Sequence, residues 1–477
     1  MAGRLRLEHW QTAVAILVTL VGIACAIHAL LNKREPRAAL GWFGVCLLVP
    51  LLGGILYVLF GINRVHARAR RLNQEDRHLP EPDERPAPGD GPVAGVPPSL
   101  AQLVHLSGSL QGWPLTSGNS VAALHDGAQA YPAMLAAIGA ATQRVYLSSY
   151  IFDPGLNFDE ALAAAKQRGA DVRVLVDGIG ELYSWPHISG RLRRLGIPCH
   201  RFNPPSLLPP SLQVNLRNHR KILAVDGHTA FAGGMNIGRR HLVADEATEP
   251  EVIDVHFRFE GPVAGQLEAA FLEDWERATS APEPSVPQQI DGPAGTSVCR
   301  VLTDGPGEEM DKLTMVLTGA VALARREILV MTPYFLPPRE LLGAFVGAAL
   351  RGVDVSIILP ATNNLPPVHW ATRRMLWELL SRGVRVYYQP GPFVHSKLFV
   401  IDGEYLQIGS ANLDPRSLRL NFELAVEIFD RELAGAVAEH CREARRRGEE
   451  VTLEHLDERP LWQRLRDSMA WLLSPYL

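Results

Sequence analysis

The chain reads as an α/β protein made of two repeated α/β halves that share one cleft, behind an N-terminal hairpin of two transmembrane helices. Three observations predict this. The pattern His-x-Lys-x4-Asp occurs twice, at His219, Lys221 and Asp226 and again at His395, Lys397 and Asp402. Upstream of each copy the chain repeats one order of elements: apolar strand, helix, glycine turn, apolar strand. The first sixty residues hold two long apolar runs.

Those runs cover residues 12–31 and 39–61 and are long enough to cross a bilayer core of ~30 Å. Only residues 32–38 join them, so both ends of the pair fall on one membrane side. Arg4, Arg6, Arg64, Arg68, Arg70 and Arg71 flank the pair, against Lys33, Arg34 and Arg37 in the turn. Six charges against three place both termini, and the catalytic part, in the cytoplasm. The anchor is expected over residues 1–71, with a flexible tether rich in Pro, Gly, Glu and Asp over 72–98.

The first half is expected over residues 99–278. Its strand at 145–150, helix at 159–167 and strand at 172–177 match a strand at 328–334, a helix at 339–350 and a strand at 353–360 in the second half, residues 297–477. A linker rich in Pro, Gly and Ser, 279–296, separates them. Alternating strands and helices imply layered α/β halves with a largely parallel or mixed sheet. Two stretches carry unassigned apolar surface. The loop at 202–214 is either a lipid-facing rim or a packed loop. The apolar stripe of a C-terminal amphipathic helix, residues 461–473, is expected to pack on the core, with insertion into a membrane interface as the alternative.

The chemistry sits in the repeated pattern. The chain has five lysines against 42 arginines, and two of the five fall in this pattern. Residues 218–225 and 394–401 alternate like strands, so each His and the Lys two positions on point from one face. Two imidazoles and two ammonium groups suit a phosphodiester. The lysines neutralise nonbridging oxygens, one histidine attacks phosphorus, and the other protonates the leaving alkoxide. Side chains then supply the charge stabilisation, and no metal or other cofactor is called for.

A nucleophilic imidazole needs its other nitrogen held, usually by a carboxylate. Chain order offers Asp254 for His219 and Glu423 for His395. Asp226 and Asp402 precede glycines at strand ends and read first as turn residues, while the repeated pattern also places them with the histidines and lysines as catalytic candidates. Asn236 and Asn412, each 17 residues after its histidine, end small-residue turns and could shape those turns or reach a phosphate.

These residues resemble the phospholipase D superfamily, whose hallmark is the paired pattern, and within it the membrane-anchored bacterial cardiolipin synthases. The stretches carrying the likeness are Asn218–Lys221, Gly233–Ile237, Thr332–Phe335 and Gly409–Ser417 through Glu423. The resemblance implies a phosphatidyltransferase of the bacterial inner membrane. One phosphatidylglycerol is attacked by histidine and releases glycerol. The resulting phosphatidyl-histidine is then displaced by the hydroxyl of a second phosphatidylglycerol, giving cardiolipin. His219 is favoured as nucleophile, with His395 as general acid and then base. The chain departs from that pattern at Glu181, His241 and Val252-Ile253.

Competing readings use the same site or none: a phospholipase D releasing phosphatidic acid, a nucleic-acid phosphodiesterase, or a non-catalytic membrane scaffold. A net charge of −4 argues against a nucleic-acid partner. Five cysteines without metal spacing suit a reducing compartment.

Overall fold

The computed structural model describes residues 2–33, 36–61, 93–110, 112–207, 210–211, 215–242, 251–281, 293–306 and 311–474. The chain divides into two compact units, Met1–Arg71 and Leu72–Leu477.

In the first unit a helix runs over Ala2–Asn32. Its apolar part, His9–Asn32, has 24 residues and rises about 36 Å, enough to span a bilayer core. The second apolar run, expected as one span over 39–61, is broken instead. Helix Pro36–Leu48 stops at Val49 and helix Pro50–Leu56 begins there, followed by a π-turn, Tyr57–Gly61. Proline at 50 has no N–H to continue the ladder. The segments fold back on the long helix. Gly22 lets them close, since a Cβ there would lie 2.7 Å from the Cys46 carbonyl oxygen and from Pro50. Ala26, Ala29, Cys46 and Tyr57 form the buried seam, and the Tyr57 hydroxyl meets His28 Nδ1 at 2.8 Å. Leu20, Leu31, Leu48 and Leu51 face outward. Arg34 and residues 62–92, which carry four of the six flanking arginines and most of the tether, lie outside the described residues.

The second unit is built on a 15-stranded sheet. The first half contributes β1 (Thr116–His125), β2 (Arg144–Ser149), β3 (Asp171–Asp177), β4 (Cys199–Phe202), a short hairpin of β5 (Ser206–Leu207) and β6 (Pro210–Ser211), then β7 (Ile222–Val225), β8 (Thr229–Gly233), β9 (Val252–Ile253) and β10 (Val255–Glu260). The second half contributes β11 (Ser297–Asp304), β12 (Glu327–Met331), β13 (Asp354–Pro360), β14 (Arg385–Gln389), β15 (Phe393–Val394), β16 (Leu398–Ile401), β17 (Tyr405–Gly409), β18 (Glu423–Phe429) and β19 (Glu449–Glu450).

The order from one edge is β4-β3-β2-β7-β8-β10-β1, then β11-β18-β17-β16-β12-β13-β14-β19. Apart from β19, one half is the mirror order of the other, and they join through antiparallel β1 and β11. Within each half the strands before the motif pair parallel, Val145 beside Val172 and Ile328 beside Val355. Helices Pro262–Thr279 and Arg431–Arg447 cover one face of the sheet over a core that both halves share, including Phe257, Phe271, Val301 and Val426. Each half has its own core on the other face.

Helix Ala101–Leu110, in the segment expected for the first half, packs on the second. Leu100 and Leu103 join the second half's outer core, and Ser107 donates to Glu427 at 3.1 Å. Of the linker expected at 279–296, residues 282–292 lie outside the described residues, as do 208–209 and 212–214 of the apolar loop.

Candidate active site

Each repeated motif begins as an extended stretch leading into the sheet. The strand expected over 218–225 enters the sheet only at Ile222, and the one over 394–401 only at Leu398. The residues before those points pair instead with the opposite half. The His219 N–H donates to the Phe422 carbonyl at 2.9 Å, and Phe422 N–H to the Arg217 carbonyl at 2.9 Å. The His395 N–H donates to the Ile253 carbonyl at 2.9 Å, within the parallel pairing of β15 with β9.

This exchange decides the carboxylates. The residue following each accepting carbonyl is an acid, Glu423 after Phe422 and Asp254 after Ile253. Hence His219 Nδ1 lies 3.0 Å from the Glu423 carboxylate, and His395 Nδ1 lies 3.0 Å from Asp254 Oδ2. The pairing expected from chain order, Asp254 with His219 and Glu423 with His395, is therefore corrected: the partners are swapped between halves. With Nδ1–H donated to a carboxylate, each ring keeps Nε2 for chemistry.

Buried side chains hold this arrangement. Arg220, fully enclosed, donates from Nε to the Glu423 carbonyl at 3.0 Å and pairs with Asp274 at 2.9 Å. Asp274 also accepts from Asn218 Nδ2 at 2.9 Å. In the other motif Ser396 Oγ accepts from Val255 N–H at 3.1 Å, next to Asp254. So the middle residue of each motif fixes the backbone beside the opposite half's acid. Ser410 Oγ donates to Glu423 at 2.5 Å. Its counterpart is Gly234, where a Cβ would sit 2.9 Å from Asp254 Oδ2 and 3.0 Å from Lys397 Cδ. Arg220, Ser396, Ser410 and Asp274 were not singled out from sequence. Only the two motif-internal positions carried any signal, by their place between His and Lys.

The lysines differ between halves. Lys221 Nζ donates to the His219 carbonyl at 2.6 Å and lies 5.6 Å above the Tyr150 ring, whose edge meets His219. Lys397 Nζ stands 2.9 Å from both ring nitrogens of His395 and donates to its carbonyl at 2.5 Å. Burial lowers Lys221 to about 7 and Lys397 to about 8. Burial likewise lowers His219, with Glu423 opposing, and lowers His395 well below the usual range, with Lys397 and Lys221 adding to it. Glu423 ends below the ordinary carboxylate range, because His219, Lys221 and Ser410 outweigh its burial. An anion entering the cleft would meet two cations whose charge burial disfavours.

Asp226 and Asp402 do not join this cluster. Asp226 accepts N–H bonds from Thr142, Gln143 and Arg144, all at 2.8 Å, and Asp402 accepts from Arg325, Arg326 and Glu327 at 2.8–2.9 Å. Both have positive φ, 52° and 56°, at the turn beyond the motif strand. Seven residues of extended chain, ~20 Å, separate each from its histidine. They latch the loop that enters β2 or β12. Asn236 Oδ1 accepts from Ile151 N–H at 3.1 Å, and Asn412 donates to Ser417 Oγ at 3.2 Å while its Oδ1 is buried without a partner. Both amides tie loops at the cleft wall. Among the described residues no group of three or more His, Cys, Asp or Glu is placed to hold a metal ion.

A duplicated α/β fold with two His–Lys pairs meeting at the junction of its halves defines a phosphodiester-processing class. A family model described as "Cardiolipin synthase, PLD-like domain" matches residues 134–275 and 317–444, and one described as "Phospholipase_D-nuclease N-terminal" matches 20–61. The major cardiolipin synthase of Bacillus subtilis (strain 168) is 31% identical over 467 residues, covering 94% of this chain and 95% of that protein. Cardiolipin synthase A of Pseudomonas aeruginosa (strain LESB58) is 33% identical over 474 residues, 96% of this chain and 95% of that protein. The chain belongs to the cardiolipin synthase family of the phospholipase D superfamily. The crystal structure of phosphatidylserine synthase from Haemophilus influenzae Rd KW20 shares the fold, with a TM-score of 0.60 at 17% identity over 79% of this chain and all of that one.

Proposed function

We propose that this chain is a membrane-anchored phosphatidyltransferase that makes cardiolipin and glycerol from two phosphatidylglycerol molecules. The observation that carries the reading is the pair of imidazoles, each with Nδ1 held by the opposite half's acid and each beside a buried lysine.

His219 is the nucleophile. Its Nε2 attacks phosphorus, a P–N bond forms, and the P–O bond to the glycerol headgroup breaks. His395 gives its proton to the departing alkoxide. Lys397, within 2.9 Å of both nitrogens of that ring, suits it to proton transfer, whereas Lys221, which like Lys397 donates to its own histidine's carbonyl, lies over the Tyr150 face. The substrate's negative charge lets His395 hold a proton that burial and the neighbouring lysines disfavour. In the second step His395 takes the proton of a hydroxyl on another phosphatidylglycerol. That oxygen attacks phosphorus, the P–N bond breaks, and cardiolipin leaves. The lysines stabilise the pentacoordinate oxygens. Asn236 and Asn412 support the walls, while Asp226 and Asp402 maintain the fold.

The apolar N-terminal helix and the arginine excess on the flanks support a two-pass anchor in the bacterial cell membrane with the catalytic unit in the cytoplasm. Anchoring keeps the cleft among lipid hydroxyls, which favours transfer over hydrolysis. The test uses the full chain in mixed micelles with phosphatidylglycerol labelled in its headgroup, all lipid products resolved. Cardiolipin with free glycerol, lost in His219→Ala and His395→Ala, is expected. Rapid quenching in neutral denaturant, since acid cleaves a P–N bond, should trap a phosphatidyl group on His219. Phosphatidic acid as the main product would make the enzyme a hydrolase.

A further inference from the structure

The C-terminal helix, Leu461–Leu472, does not bury its apolar stripe. Leu461, Trp462, Leu465, Met469, Leu472 and Leu473 are 56–71% exposed. At 100° per residue they occupy one arc of about 120°. The expectation that this stripe packs on the core is thus overturned. The helix docks by its opposite side, where Ala470 packs with Leu336, Val368 and Ala371 and the buried Asp467 carboxylate receives Arg373, Arg459 and Arg466. Of these cations, Arg466 reaches the edge of the stripe. The Arg466 guanidinium lies 4.4 Å over the Trp370 ring and 5.2 Å over Trp462.

The position of this face matters. Leu336 and Tyr334, packed with the helix, follow the carboxyl end of β12. Tyr334 lies 6.5 Å from Phe393, and Phe393 lies 6.1 Å from His395. In the other half the loop after β3 exposes Leu182, Tyr183 and Trp185, the last at 84%. Tyr183 lies 6.3 Å from Tyr150, whose ring lies 5.2 Å from His219. Exposed apolar residues are thus carried by both halves near the cleft: Tyr183 lies two ring contacts from His219, and Tyr334, which packs with the C-terminal helix, lies two from His395.

We propose that these two rims form a bilayer-docking surface: the C-terminal helix and the Leu182–Trp185 loop enter an anionic lipid interface and hold the cleft mouth against it. The chemistry of these surfaces selects that occupant. A broad apolar arc with tryptophan and an arginine border matches the acyl–headgroup boundary of an anionic membrane. Two such features on either side of one opening also suit a plane laid across it. The inference rests on the phospholipid reading of the site and adds which surface meets the lipid.

Two measurements test it, one independent of turnover. The full chain is reconstituted in phosphatidylglycerol–phosphatidylethanolamine vesicles and exposed to a bilayer-restricted aryl azide photolabel, with adducts mapped by mass spectrometry. Adducts on the peptides covering 461–473 and 180–187, besides the anchor, are expected; adducts confined to the anchor refute the surface. Absence of adducts together with efficient disulfide trapping through Leu472→Cys would give the face to a second copy. Second, Leu465→Glu with Met469→Glu should lower turnover of vesicle phosphatidylglycerol about tenfold, yet keep turnover of a monomeric short-chain analogue within about twofold. Equal loss on both substrates, or none on either, overturns the proposal. Adducts on 461–473 in a chain that makes no cardiolipin would leave the docking surface standing while the functional reading falls.

Discussion

Replacing Glu423 by glutamine probes the exchange of acids between the halves. The pair is 3.0 Å apart and the glutamate side chain is fully enclosed. At an effective dielectric near 20, unit charges at that separation attract by ~5.5 kcal/mol. Removing one member of such a buried pair costs about 3–5 kcal/mol. The attraction is fully realised only when His219 carries positive charge, as it does while its Nε2 forms a bond to phosphorus. The loss therefore falls on group transfer, about 10²–10⁴-fold in kcat, with KM changed by less than about threefold. Glu423 also opposes the burial that lowers the His219 pKa. His219 must be neutral to attack, so activity rises with pH through that pKa, and the variant's acid limb moves to lower pH. Rate profiles on a short-chain phosphatidylglycerol and ring-labelled histidine NMR would follow both effects. Asp254→Asn should act in the same way on His395. A Glu423→Gln chain with kcat within about threefold of native would refute the reasoning. So would one in which the His395 resonance moves and His219 does not.

Three further outcomes are expected. Asp226→Asn, at a φ of 52° that asparagine tolerates, loses acceptor capacity for backbone N–H groups and should cost about 1–3 kcal/mol of stability, read as a lower Tm with normal turnover per folded molecule. Although burial raises the Asp226 pKa, its backbone hydrogen bonds bring the folded value below the ordinary one; the stabilisation is present above the unfolded value near 3.9 and lost as pH falls through the folded one, so the variant's deficit should close in acid. Lys221 and Lys397, lowered by burial to about 7 and about 8, should give kcat/KM an alkaline limb that falls as pH rises through that window, because the free enzyme loses its ammonium charges. Gly234→Ala sets a Cβ 2.9 Å from Asp254 Oδ2 and 3.0 Å from Lys397 Cδ; it should displace that lysine and lower kcat about tenfold or more with little change in Tm.

The sequence carried the repeat, the layered halves and the residues that meet in the cleft, because each is written in local periodicity or in a fixed spacing. The long first helix and the glycine turn after each motif are equally local. The second apolar run reads as one span by length, with Pro50 and its glycines as interruptions, and the helix is divided there, at Val49. Asp226 and Asp402 belong to the spacing yet serve a turn, and the turn reading drawn from Asp-Gly was the one that described their contacts.

What chain order could not show is which acid faces which histidine. Glu423 lies 28 residues after His395 and Asp254 lies 35 after His219, so proximity along the chain favours partners within one half. The decisive bonds are long-range: Phe422 beside His219, and Ile253 beside His395. Each is a short extended segment of two or three residues, too brief to leave a periodic signature. Their consequence is that neither half contains a complete histidine–acid pair. Each imidazole is oriented only when the other half is folded against it, and Arg220 ties that contact through a bond to the Glu423 carbonyl. Removing Arg220 would leave Asp274 buried without that partner and free the strand that aims Glu423. Loss of orientation and loss of stability should then appear together, unlike at Glu423, where the fold has no comparable stake.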